Sequence, residues 1–115
     1  MVVSKDYPYL EVKVTVRNFS SHFQALLDTG FDGYLILPEV LNSQLGKPDF
    51  QVKTGLADGS ARIASEYRGR VEIVGLNVLY LARIILLGDE CLMGQGIIKR
   101  LKVTFDHGIQ VVVEP

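Results

Sequence analysis

Ala25-Leu26-Leu27-Asp28-Thr29-Gly30 carries an apolar run straight into a carboxylate, a hydroxyl and a glycine. Phe31-Asp32-Gly33 then separates it from a second apolar run, Tyr34-Leu35-Ile36-Leu37. Apolar residues on both sides predict two buried strands with the polar residues at the bend between them. A carboxylate at the mouth of a β core is costly to desolvate, so it is either hydrogen-bonded by its own loop or held there for chemistry. An Asp beside a Gly most often does the former. The rest of the chain has to decide.

Upstream, Tyr9 to Arg17 alternates apolar and polar residues with period two, as a half-buried strand does. Asn18-Phe19-Ser20-Ser21 reads as the turn, and His22 to Leu27 as the returning strand that delivers Asp28. Downstream, Pro38 stops the second run and opens one or two helical turns that Gly46 ends. Phe50 to Leu56 is strand-like, and Ala57-Asp58-Gly59-Ser60 carries an Asp-Gly hairpin signal. The return arm from Ala61 to Val74 is long for one strand, so Gly69 is expected to break or bulge it. Val78 to Leu87 is apolar at most positions and predicts a central strand buried on both faces. Cys91-Leu92-Met93-Gly94 is a second apolar approach to a glycine, followed by a short helix over Gln95 to Leu101. Lys102 to Phe105 and Ile109 to Val113 close the chain as a hairpin. The sum is seven or eight short strands and two short helices, an all-β closed or nearly closed barrel. The final Val111-Val112-Val113-Glu114-Pro115 could also supply an intersubunit strand, although Pro115 cannot donate to a ladder.

At 115 residues the chain is read as a single domain spanning 1–115. Lys and Arg number 12 against 13 Asp and Glu, a net charge of −1, which argues against nucleic acid or an anionic membrane as partner. The lone cysteine, Cys91, excludes an intrachain disulfide, and no Cys/His spacing suggests a metal. Without an apolar leader or a stretch of membrane-spanning length, a soluble cytoplasmic protein is expected. The 48% hydrophobic content is rich for so small a chain, and the surplus suits a subunit interface.

Ala25-Leu26-Leu27-Asp28-Thr29-Gly30 resembles the active-site motif of the retropepsin-like aspartic proteases, and the likeness runs in order along almost the whole chain. The Asp-Gly hairpin stands where that family has its flap. Leu92-Met93-Gly94 before a helix matches the family's second apolar-apolar-Gly element, which crosses beneath the Asp-Thr-Gly loop. The small prokaryotic members, some with a Phe after the Gly, are the nearest in pattern. The resemblance implies an aspartic endopeptidase that works as a homodimer on peptide or protein substrates without cofactor or metal, with Asp28, Thr29 and Gly30 as its catalytic motif. A single Asp-Thr-Gly per chain means that the second carboxylate comes from a second copy across a twofold axis. By the same resemblance Thr29 bonds across that axis. Asp32, Phe31, Leu92 and the hairpin tip Ala57, Asp58 and Gly59 then belong to the substrate-binding surface. Two positions depart from the retroviral pattern. Phe31 replaces a small residue, and Gln95 replaces an arginine that would pair with the acid matching Asp32. The alternative is a catalytically weak or inactive module of the same fold that binds peptides or mediates assembly.

Competing constellations are weaker. Ser20-Ser21-His22 near Asp28 lacks the Gly-x-Ser-x-Gly elbow, and adjacent strand residues point to opposite faces. Cys91 reads as a small buried hydrophobe. Lys99, Arg100 and Lys102 read as a solvated basic end of the short helix.

Overall fold

Val16 and Phe19 face each other across a two-residue turn, Arg17-Asn18, with Arg17 in the left-handed region at φ 52°. The turn therefore lies earlier than Asn18–Ser21, because a two-residue hairpin loop matches the twist of its flanking strands. Arg17 is held there by bonds from its guanidinium to the carbonyls of Leu45 and Lys47 and to the Asp49 carboxylate. The computed structural model describes residues 1–55 and 58–115, so Ala57 of the hairpin tip, and Leu56 before it, lie outside the described residues.

The strands are β1 (Val2–Lys5), β2 (Tyr9–Val16), β3 (Phe19–Leu27), β4 (Leu35–Leu37), β5 (Phe50–Gly55), β6 (Ala61–Ile73), β7 (Val78–Leu86), β8 (Leu92–Met93), β9 (Lys102–Asp106) and β10 (Gln110–Glu114). A 3₁₀ turn (Glu39–Leu41) leads into α1 (Asn42–Leu45), and α2 spans Gln95–Ile98. With 57% strand and 10% helix among the described residues, the chain is mainly β, as expected. Strands β2-β3-β8-β4-β7-β6 lie side by side, and pairing of β2 with β6 closes them into a six-stranded barrel. Its inside is filled by the alternate apolar residues that the period-two patterns specify. Val12 and Val14 of β2, Leu35 and Leu37 of β4, Val71 of β6, Ile84 of β7 and Met93 of β8 are each fully buried. Each such side chain contributes about 1.5–3 kcal/mol relative to exposure. Among the described residues no helix is long and apolar enough to cross a membrane.

Four further expectations need correction. Gly69 does not break β6, which runs unbroken with Gly69 opposite Ala82. Gly69 sits where β6 exchanges one neighbour for another, since Ala61–Glu66 pair with β5 and Arg70–Ile73 with β2. A Cβ there would lie 2.7 Å from the Thr15 carbonyl oxygen and 2.7 Å from Ile84 Cδ1, so glycine serves close approach, not a bulge. Strand β7 is central yet buried on one face only. Leu79 and Leu81 are 50% and 78% exposed, because a barrel has one interior and the chain's own elements do not cover its outside there. Strand β10 has no free edge for a second chain, since β1 pairs on one side and β9 on the other. The pairing partner is β1, which the sequence reading left unassigned. The helix after Gly94 is also shorter than expected, ending at Ile98.

Candidate active site

Strand β3 delivers Asp28 and β4 begins again at Leu35, and β8 lies between the two. It runs parallel to β3, with Leu27 opposite Met93, and antiparallel to β4, with Leu35 opposite Met93. The residues after β8 then staple the Asp28–Tyr34 loop through the backbone. Asp28 N–H donates to the Met93 carbonyl at 2.8 Å, Gly94 N–H to Tyr34, Gln95 N–H to Phe31 at 2.7 Å and Gly96 N–H to Gly33. Gly94 is required by this crossing. A Cβ on it would stand 2.4 Å from the Gly33 carbonyl oxygen and 2.4 Å from the Phe31 ring. The Phe31 ring also covers Gly33, where a Cβ would lie 2.4 Å from Cζ. Phe31 is therefore part of the packing between loop and support.

On this platform Asp28 is half-buried, and Thr29 and Gly30 are exposed. Asp28 Oδ1 accepts the Gly30 N–H at 2.9 Å, which orients the carboxylate, and among the described residues Oδ2 has no protein hydrogen bond. Gln95 Nε2 donates to the Thr29 carbonyl at 3.2 Å and ties the side chain of α2 to the loop. The arrangement presents one oriented carboxylate at a surface. Such a group can take a proton from water, but alone it cannot also donate one to a carbonyl.

Phe31, Asp32 and Tyr34 from the loop, with Val52 and Lys53 from β5, line a groove of about 310 Å³. Glu66, Arg83 and Ile85 of β6 and β7 complete its wall. The carboxylate of Asp32 is exposed and makes no ion pair or side-chain hydrogen bond among the described residues. Leu92 is half-buried in β8 opposite Leu26 and Ile36 and does not line the groove. Asp58 and Gly59 lie beyond β5 in an exposed turn, where Gly59 takes φ 88° and Asp58 Oδ1 accepts the Ser60 N–H at 2.8 Å. That bond and the Ser60 hydroxyl hold the Asp58 carboxyl below its ordinary pKa, the hydroxyl most strongly. Glu66 was not singled out from the sequence, because on a strand of alternating polarity a glutamate signals nothing unusual. A larger concavity of about 540 Å³, lined by Lys13, His22, Glu72 and Leu79 among others, includes no residue of the loop or its support. Cys91 is buried, and its thiol is pushed up to about 12 by that burial, so it is no nucleophile.

No family model matches the chain, and no curated protein is similar to it in sequence. Solved structures are. The crystal structure of a retropepsin-like aspartic protease from Rickettsia conorii superposes with a TM-score of 0.66 at 17% identity, covering 98% of this chain and 89% of that one. The solution structure of the simian foamy virus (mac) protease superposes with a TM-score of 0.54 at 16% identity, covering 76% of this chain and 88% of that one. The fold is retropepsin-like.

Proposed function

We propose that the chain is an aspartic endopeptidase that acts as a homodimer, with Asp28 of each copy forming a two-carboxylate site. The observation that carries this reading is the Asp28 loop itself. Its carboxylate is oriented by Gly30, its backbone is stapled by Met93–Gly96, and Thr29 and Gly30 are exposed beside it where a second copy would meet it. Two carboxylates in contact cannot both ionise, so the pair shares one proton and its two pKa values split. The ionised member takes a proton from a water, whose oxygen attacks the peptide carbonyl. The protonated member donates to the carbonyl oxygen as it gains charge. Collapse of the tetrahedral diol then breaks the C–N bond as a proton passes to the leaving amine. The hairpin of β5 and β6 is the flap in this reading, and the groove between it and Asp32 holds the extended peptide.

Hydrolysis of a broad peptide library from mildly acidic to neutral pH tests this, with wild type beside Asp28→Asn. Asparagine keeps an oxygen for the Gly30 N–H, so the fold persists while cleavage falls by roughly 10²–10⁴-fold. Cleavage that survives in Asp28→Asn, or a wild type that stays monomeric while active, rules out the shared dyad. A non-catalytic peptide-binding module is favoured by one observation, the unbraced Asp32, and is the reading that a folded dimer without cleavage would select.

A further inference from the structure

Glu66 is the one charged residue that is buried among the described residues, only 7% exposed. Its nearest cation is Arg68, whose Nε stands 4.0 Å from Oε2, at the outer limit of an ion pair. Arg68 is drawn elsewhere, since its guanidinium lies 5.0 Å over the Phe50 ring. The Glu66 carboxylate accepts no hydrogen bond among the described residues, and its oxygens are not sealed off, so they reach the groove that the residue lines. A carboxylate removed from water with no donor is unfavourable until something supplies one.

We propose that Glu66 is a specificity-determining residue that selects peptides carrying an arginine or lysine side chain, whose cation enters the groove and pairs with it. This rests on the reading of the groove as the peptide cleft. A volume of about 310 Å³ admits such a side chain. Val52 and Ile85 offer apolar walls for its methylene stem, and Phe31 and Tyr34 add aromatic surface to the lining. Lys53 and Arg83 also line the groove, but both are exposed. Their charges are screened by water, whereas the interaction with a buried carboxylate is screened far less. An acidic side chain entering the same space would meet Glu66 and be rejected.

Two pools of fluorescein-labelled decapeptides test the assignment. They are identical apolar-randomised mixtures carrying one fixed arginine or one fixed citrulline, which has nearly the same shape but no charge. Cleavage by the wild type and binding to Asp28→Asn are measured for both pools. The arginine pool is expected to be favoured by roughly 10- to 100-fold, as a charge-assisted hydrogen bond provides. Glu66→Gln is expected to erase that ratio. Equal treatment of the two pools by the wild type overturns the proposal, and this comparison needs no variant at Glu66 to fold. A ratio that persists in Glu66→Gln overturns it as well. Arginine-selective binding without cleavage keeps Glu66 and removes the protease reading, while unselective cleavage does the reverse. A protein that neither binds nor cleaves either pool refutes both.

Discussion

The side-chain amide of Gln95 donates to the carbonyl of Thr29 at 3.2 Å, while Asp32 receives nothing from it. The brace from α2 therefore grips the backbone beside Asp28 and is neutral. Gln95→Ala removes one hydrogen bond and is expected to cost about 0.5–1.5 kcal/mol. Gln95→Glu is expected to cost more, because it sets an acceptor against the Thr29 carbonyl. Thermal melts of the two variants check the order, and a Gln95→Glu protein as stable as wild type contradicts it.

Gly94→Ala should be among the most damaging small substitutions in the chain. The added methyl collides with the Gly33 carbonyl and the Phe31 ring at once, and the backbone on either side is fixed by the staples. Overpacking of this kind typically costs about 1–3 kcal/mol. Denaturant unfolding measures it. Phe31→Ala combined with Gly94→Ala should recover part of the loss, since the ring is gone while the carbonyls of Gly33 and Phe31 remain in the way.

Acid should loosen the chain at Asp49. Its carboxylate accepts the Arg68 backbone N–H and pairs with the Arg17 guanidinium at 2.8 Å, and these hold its pKa below the ordinary 3.8, the backbone bond most strongly. As pH falls, the unfolded chain takes up this proton before the folded chain does. The contribution is present above the ordinary carboxylate pKa and is lost as pH falls through the lower folded value. Melting temperature should drop more steeply for wild type than for Asp49→Asn between about pH 5 and pH 3. Parallel pH profiles would exclude this clamp as an acid-sensitive element.

The Cys91 thiol, with its pKa pushed up to about 12 by burial, should resist alkylation in the native protein near neutral pH. It should react fully once denaturant exposes it. Rapid labelling of the folded chain would mean that β8 opens readily, contrary to its place between β3 and β4.

What could be read from the sequence was whatever depends on local period and on residue type. Asp28 at the end of an apolar run and the Asp58-Gly59 turn were legible on that basis. So was Leu92-Met93-Gly94 as a second approach to glycine, which the structure places against the Asp28 loop. What failed depends on which element covers which. Leu79 and Leu81 look as apolar as any core residue, and only barrel closure leaves them outside. Gly69 reads as a breaker until β2 is seen to cross it. Strand β1 exists because β10 offers it an edge, and Val2–Lys5 alone carries little signal. Glu66 was invisible for the same reason, since its burial comes from neighbours on β5 and β7 distant in sequence.

The first and last strands satisfy each other within one chain, with β10 enclosed by β1 and β9. Each copy can thus pair its last strand on both sides before it meets another, and assembly of the proposed dyad becomes an encounter between folded molecules. Mass action then governs activity separately from folding. Dilution would switch off the proposed hydrolysis without unfolding anything, and concentrating the protein would restore it, making local abundance itself a control on activity.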